Sequence, residues 1–443
     1  MTFARRSVLL ICFGFILGCL APRLCGAQSA PAQPAPAPAA TAPANTPQAY
    51  NLPPEKLAKA IAISRIRHIL DFAGSVWGLV FLWLLLALHG VSGLAAWAER
   101  LLKKRWLSGL LFFAAFFVIT ALASLPFDLY GQHVERAYGI SVQGWGSWFG
   151  DQAKGLGLSI LFGAPVLLLF NWIVKRWPRR YWLGIWIATL PLLVLGIFVS
   201  PLLEPIFNKY EPLSKNNASL VTELEKVVAR TGTNIPPDRM FLMKASVKTN
   251  GLNAYVSGIG ATKRIVVWDT TAGRVPDDEV LFIFGHESGH YVLHHIPKEL
   301  AIDTVFFFFL YWACAWGGAT LIRRFGQSWH APTLDTRAGF IVLLFTISVA
   351  SFFLQPLGNA LSRHFEHEAD VYGQEAIHGI VPDPQKTAVA AFNQLGEAWL
   401  EDPTPSPFIE FWFFNHPSVQ NRANFALHYD PWANGGHGKF FDK

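Results

Sequence analysis

Val280-Leu281-Phe282-Ile283-Phe284 runs straight into Gly285-His286-Glu287-Ser288-Gly289-His290, and Tyr291-Val292-Leu293 follows. The architecture of the rest of the chain turns on these residues, which form an HExxH motif on a largely apolar helix. Residues i and i+4 share a helix face, so His286 and His290 can reach one zinc ion, with Glu287 over the water that such an ion activates. Two imidazoles buried together on an apolar helix need polar partners, and a shared metal is the simplest one. One Zn2+ per chain is therefore expected, and a third protein ligand must come from elsewhere.

The remainder of the chain offers that ligand in Leu361-Ser362-Arg363-His364-Phe365-Glu366-His367-Glu368-Ala369-Asp370, which extends an apolar run as a helix. Glu366 and Asp370 are four apart and share a face, whereas Glu368 points roughly the other way. Glu366 is the expected third ligand, and Asp370 the acceptor that fixes the tautomer of a ligand imidazole. His364 and His367 are rival ligands from the same helix. Cys12, Cys19 and Cys25 lie near the start and Cys314 in an apolar run, so neither an internal disulfide nor a thiolate zinc site is expected.

The chain has 443 residues, 52% hydrophobic and 15% charged, and a mean hydropathy of +0.31. Soluble domains carry about a quarter charged residues, so this composition points to a bilayer. Six apolar runs, at 72–97, 107–127, 155–174, 181–203, 304–322 and 338–358, are each about long enough to cross a hydrocarbon core of ~30 Å. The formal charge of +6 is spread over short loops, and no nucleic-acid partner is expected. A transporter would place ionisable residues at the centres of the runs, yet those centres are almost uncharged.

These features divide the chain as follows. Residues 1–27 resemble a secretory signal or an uncleaved first membrane helix, with Arg5-Arg6 ahead of an apolar stretch and Cys25-Gly26-Ala27 behind it. Residues 28–50 form a Pro/Ala-rich linker. Spans one to four occupy 51–203, one half of a peptidase domain 204–303, spans five and six 304–358, and the other half 359–443. The expected fold is mainly α: a multi-span helical membrane protein whose split zincin-like α+β peptidase domain carries a small β-sheet. Basic residues crowd the loops at 100–105, 175–180 and 323–337. By the positive-inside rule those loops are cytoplasmic and both polar halves lie on the opposite, periplasmic side of a bacterial inner membrane. Lys56, Lys59, Arg65 and Arg67 stand against that orientation.

Several further motifs accompany the HExxH. They are Pro205-Ile206-Phe207-Asn208-Lys209-Tyr210, Asn253-Ala254-Tyr255, Lys263-Arg264-Ile265-Val266-Val267-Trp268-Asp269-Thr270 and His416-Pro417-Ser418-Val419-Gln420-Asn421-Arg422. Together with Ser-Arg-x-x-Glu-x-x-Ala-Asp they give a chain that resembles the integral-membrane gluzincins known as type 1 CAAX prenyl proteases. The resemblance implies that Glu366 is the third zinc ligand and Glu287 the catalytic base. It also implies that Asn253 and Ala254 belong to an edge strand pairing with substrate backbone, and that His416 and Arg422 line the cleft, His416 as a candidate oxyanion stabiliser. The β-branched run at 263–269, behind the turn Gly258-Ile259-Gly260, suits a hairpin beside such an edge.

The expected activity is a zinc-dependent endopeptidase acting on peptides or on membrane and envelope proteins, with the lipid bilayer as its other partner. The signal-like start and Pro/Ala linker have a bacterial character, so prenylated CAAX substrates do not carry over. A catalytically silent scaffold with structural zinc would have no need of Glu287.

Overall fold

The computed structural model describes residues 49–441. The signal-like start and all but the end of the linker lie outside them. Among the described residues, six helices are long and apolar enough to cross a membrane: Pro54–Ala87, Arg105–Ala137, Trp145–Arg176, Tyr181–Phe207, His295–Phe325 and Arg337–Ile377. We label the helices α1 (Pro54–Ala87), α2 (Gly90–Leu101), α3 (Arg105–Ala137), α4 (Trp145–Leu158), α5 (Ala164–Arg176) and α6 (Tyr181–Phe207). A π turn at Ser159–Gly163 joins α4 to α5. Then come α7 (Ala218–Thr231), α8 (Asp269–Ala272), α9 (Asp277–Val292), α10 (His295–Phe325), α11 (Arg337–Ile377), α12 (Pro384–Trp399), α13 (Pro407–Phe413) and α14 (Val419–His428).

The first span differs from the run expected at 72–97. The apolar residues continue there, but His89 takes a left-handed conformation with φ of 61°, which ends α1 at Ala87 and restarts the chain as α2. The span instead reaches back to Pro54 and takes in Lys56, Lys59, Arg65 and Arg67. Three of these cations have acid partners: Lys56 with Glu397, Lys59 with Glu55, and Arg67 with Glu135 at 2.7 Å.

The two largest apolar cores divide the molecule. One is built by the membrane helices, with Phe112, Phe113, Phe116, Phe117, Phe170 and Phe340 fully buried among them. The other gathers residues far apart in sequence: Tyr50, the 213–284 region and the 372–426 region. Tyr50 is fully buried there; its N–H donates to Gln420 Oε1 at 3.0 Å and its hydroxyl to the Glu401 carbonyl at 3.2 Å. The chain before the first span is thus anchored in the same core as the two polar segments, which puts all three at one end of the helix bundle.

That core contains a four-stranded sheet of β1 (Tyr210–Pro212), β2 (Met240–Met243), β3 (Ala254–Ser257) and β4 (Arg264–Trp268), in the order β1-β2-β4-β3. The β2/β4 pair is parallel and the outer pairs antiparallel. Gly258, with φ of 84°, turns β3 toward β4; a Cβ there would lie 2.2 Å from the Thr262 carbonyl oxygen, so only glycine fits. β3 therefore has β4 on one side and is the edge of the sheet.

The helix α11 ties bundle to peptidase core. Its N-terminus is capped by Thr336, whose side chain accepts from the Gly339 N–H at 3.0 Å. Its 41 residues extend about 60 Å at 1.5 Å per residue, twice the hydrocarbon thickness, so it carries Glu366 and Asp370 well past the apolar run. Near its end Gln374 donates to the carbonyls of Ala426 and Tyr429, and Glu375 accepts from the N–H groups of Lys439 and Phe440, which draws the C-terminal segment in.

Candidate active site

The helix α9 begins with Asp277, Asp278 and Glu279 against its own N-terminal dipole and ends at Val292, before His294 turns left-handed. Residues 279–290 are all buried, His286 and His290 among them. The Tyr291 hydroxyl donates to the Gly258 carbonyl at 2.8 Å, which fastens the motif helix beside the edge strand β3.

α9 and α11 approach through glycine. A Cβ on Gly373 would stand 2.7 Å from the His286 backbone nitrogen, and one on Gly285 3.0 Å from the Gly373 carbonyl. With no side chain at either position, the two helices lie close enough for Glu366 to meet the histidines. His286 Nε2 lies 3.2 Å from His290 Nε2 and 3.2 Å from Glu366 Oε2; His290 Nε2 lies 3.6 Å from Glu366 Oε1. Among the described residues, these three are the group whose ligand atoms come together closely enough to share an ion. His364 and His367 are exposed on α11 and lie outside that group.

The donor set fits a zinc ion. Ligand atoms at ~2.0–2.1 Å from a tetrahedral centre stand ~3.3–3.4 Å apart, close to the separations here. The tautomers agree. The Asp370 carboxylate accepts from His286 Nδ1 at 2.8 Å, which leaves Nε2 with a lone pair. Glu368 accepts from His295 Nε2 at 3.3 Å, so a neutral His295 accepts at Nδ1 from His290 Nδ1 at 2.9 Å, and His290 Nε2 also carries a lone pair. Two lone pairs and a buried carboxylate oxygen, Glu366 Oε2, that makes no hydrogen bond face one point. Such a cluster of acceptors repels itself unless a cation joins it.

Further buried charge surrounds this cluster. Arg422 donates to Asp370 from Nε at 2.9 Å and Nη2 at 2.6 Å. Burial disfavours its charge, but Asp370, Glu366 and Glu401 outweigh that and raise its pKa. Burial likewise works against protonating His286, yet its hydrogen bond to Asp370 and the nearby negative charge of Glu366 lift its pKa above the usual value, so an entering cation competes with a proton. The guanidinium of Arg422, which the resemblance places in the cleft, is turned to Asp370, with Glu366 Oε2 4.0 Å away. His416 Nε2 lies 3.3 Å from Glu366 Oε2. α11 holds its loop: Arg363 donates to the carbonyls of Phe414 and Glu410, and Asn359 to that of Trp412 at 2.6 Å. Asn253 precedes β3, its N–H donating to Thr271 Oγ1 and its carbonyl accepting from Trp268 N–H; Ala254 opens the strand opposite Val267.

Four participants were not singled out as such from the sequence. Gly285 and Gly373 are spacers that only the helix crossing reveals. Arg363 stands inside a motif without an evident task until the His416 loop is seen. His295 was visible as half of His294-His295, but five residues along an unbroken helix point about 140° apart, so its return to His290 depends on the break at His294.

Comparison with known proteins identifies the family. Residues 39–209 match the CAAX prenyl protease N-terminal model, described as five membrane helices, and residues 214–430 match peptidase family M48. An uncharacterized metalloprotease of Bacillus subtilis, YhfN, is 34% identical over 85% of this chain and 86% of its own. The human CAAX prenyl protease 1 homolog is 26% identical over 69% of this chain and 70% of its own. The crystal structure of Ste24p from S. mikatae shares the fold, with a TM-score of 0.71 at 21% identity over 85% of this chain and 89% of that one. The chain is a multi-pass membrane metalloprotease and belongs to peptidase family M48.

Proposed function

We propose that the protein is a zinc endopeptidase of a bacterial envelope, with one Zn2+ held by His286, His290 and Glu366. The observation that carries this is the convergence of two imidazole lone pairs and one carboxylate at 3.2–3.6 Å. The domain that does the work is split, from 204–303 and 359–443, with the metal joining the halves.

Zinc, when bound, supplies Lewis acidity to a scissile carbonyl and brings the pKa of water toward ~7. The chain's own residues do the rest. An extended peptide adds to the free edge of β3, pairing with the main chain from Ala254 onward beside Asn253, which presents its scissile bond to α9. Glu287 takes the proton of the attacking water and delivers it to the leaving amine. His416, beside Glu366, donates to the oxyanion as it develops. Asp370 and Arg422 act behind the ligands: Asp370 fixes the His286 tautomer, and Arg422 balances its charge, a positioning role in place of the substrate contact expected from resemblance.

The substrates are peptides or membrane and envelope proteins. The loops support a sidedness: Arg100, Lys103, Lys104, Arg105, Arg179, Arg180, Arg323 and Arg324 belong to the connections at the end of the spans opposite the Tyr50-containing core, which favours a periplasmic position for that core. Lys56, Lys59, Arg65 and Arg67, at the core end of the first span, count against this orientation and are outnumbered by the basic residues of those loops.

Detergent-purified protein should cleave a quenched peptide, lose that activity to a chelator and regain it with Zn2+. Glu287→Gln should keep its zinc and cleave nothing. Appreciable cleavage by that variant would remove Glu287 as the base; chelator-resistant cleavage would remove the metal mechanism.

A further inference from the structure

His295 is fully buried and belongs to the start of α10 rather than to the motif helix. The left-handed His294, φ 58°, ends one helix and starts the next. That break folds His295 back so that its Nδ1 lies 2.9 Å from His290 Nδ1. Its ring is stacked on Phe365 at 4.6 Å between centroids, with 25° between planes. Its other nitrogen meets Glu368 Oε2 at 3.3 Å, and the second Glu368 oxygen lies 3.6 Å from Lys439 Nζ on the C-terminal segment. Glu368 stands two residues from Glu366 on α11, facing away from the ligands.

We propose that His295 and Glu368 form a hydrogen-bonded relay that positions His290 for the metal, as Asp370 positions His286. The proposal rests on the zinc reading of the site. The direction of the relay follows from chemistry. A carboxylate only accepts, so His295 Nε2 carries the proton given to Glu368; its Nδ1 then accepts, and His290 must donate from Nδ1. His290 Nε2 is thereby held deprotonated and aimed at the site. Phe365 fixes the plane of the intermediary ring, and Lys439 holds Glu368 from the far side. Each ligand histidine thus has its own carboxylate on α11: Asp370 directly, and Glu368 through one intervening ring.

Zinc affinity separates this role from a merely structural one. With full-length protein in detergent, Zn2+ dissociation constants are measured by competition with a chromophoric chelator. Wild type should bind one ion. His295→Phe, which keeps the stack on Phe365, and Glu368→Ala should each bind Zn2+ ~10–100-fold more weakly, the range seen when such outer partners are lost. Glu368→Gln, whose amide oxygen still accepts from the Nε2–H, should restore most of the affinity. If His295→Phe fails to fold, the Ala/Gln pair at the partly exposed Glu368 decides alone. The relay is overturned if Glu368→Ala binds Zn2+ as wild type does while Asp370→Ala does not, or if Glu368→Gln is as weak as Glu368→Ala. Wild-type protein that binds no zinc would overturn the metal reading and the relay with it.

Discussion

Asp370→Asn changes one atom's identity and almost no volume, yet it should damage the site in two separable ways. In the native chain the Asp370 carboxylate faces three donors: His286 Nδ1 at 2.8 Å, and Arg422 Nε and Nη2 at 2.9 and 2.6 Å. Asparagine keeps one acceptor oxygen and turns an amide N–H2 toward the remaining donors. The Arg422 side chain is only 12% exposed, and its next acid, Glu366, is 4.0 Å away. Removing one partner of such a buried pair costs about 3–5 kcal/mol. The metal effect comes on top of it. Loss of the carboxylate behind a ligand imidazole weakens metal binding ~10–100-fold, equivalent to about 1.4–2.7 kcal/mol. Zinc-dependent stabilisation scales as RT ln(1 + [Zn]/Kd), so at saturating zinc it should shrink by that amount. Two melts in detergent, one with excess chelator and one with fixed free Zn2+, separate the terms. The chelated variant should melt below chelated wild type, and the zinc-induced rise should also be smaller. A lower chelated melt with an undiminished zinc increment would refute the positioning of His286 by Asp370. An unchanged chelated melt would refute the burial argument for Arg422.

Gly373→Ala places a Cβ 2.7 Å from the His286 backbone, so α9 and α11 must part. A loss of about 1–3 kcal/mol and weaker zinc binding are expected, read by the same melts and titrations; wild-type behaviour would mean that the crossing is looser than described. Glu401 is buried, and although Arg422 and Arg67 favour its charge, burial pushes its pKa up to about 7. A carboxyl whose folded pKa exceeds its unfolded value of ~4.3 contributes stability that is complete below that value and lost as pH rises through 7. Chelated wild type should therefore lose on the order of 3 kcal/mol relative to Glu401→Gln between pH 5 and 8; parallel curves for the two proteins would contradict this.

Much of the architecture could be read from the residues because bilayers and zinc impose strict demands. A span needs about 20 apolar residues in a row, so the runs stood out against 15% charge. The HExxH spacing has meaning only on a helix, and Glu366 with Asp370 repeats it. The parts that stayed hidden depend on where helices break and how closely they cross. Nothing in Leu88-His89-Gly90 announces that the first span ends there, because the apolar character continues beyond it. Arg422 has the same charge in a cleft as behind an aspartate, and only the 2.6 Å contact to Asp370 distinguishes the two. Tyr50 looked like the last residue of a linker, yet its ring fills the core of a domain whose other residues lie more than 150 positions away.

The most direct test is the zinc content of purified protein after exhaustive dialysis, compared between wild type and Glu366→Ala. One zinc per chain in wild type and little or none in the variant is the expected result. A variant that keeps a full equivalent of zinc would show that the third vertex belongs to another side chain, with His364 and His367 the first to examine, and the site described here would be wrong.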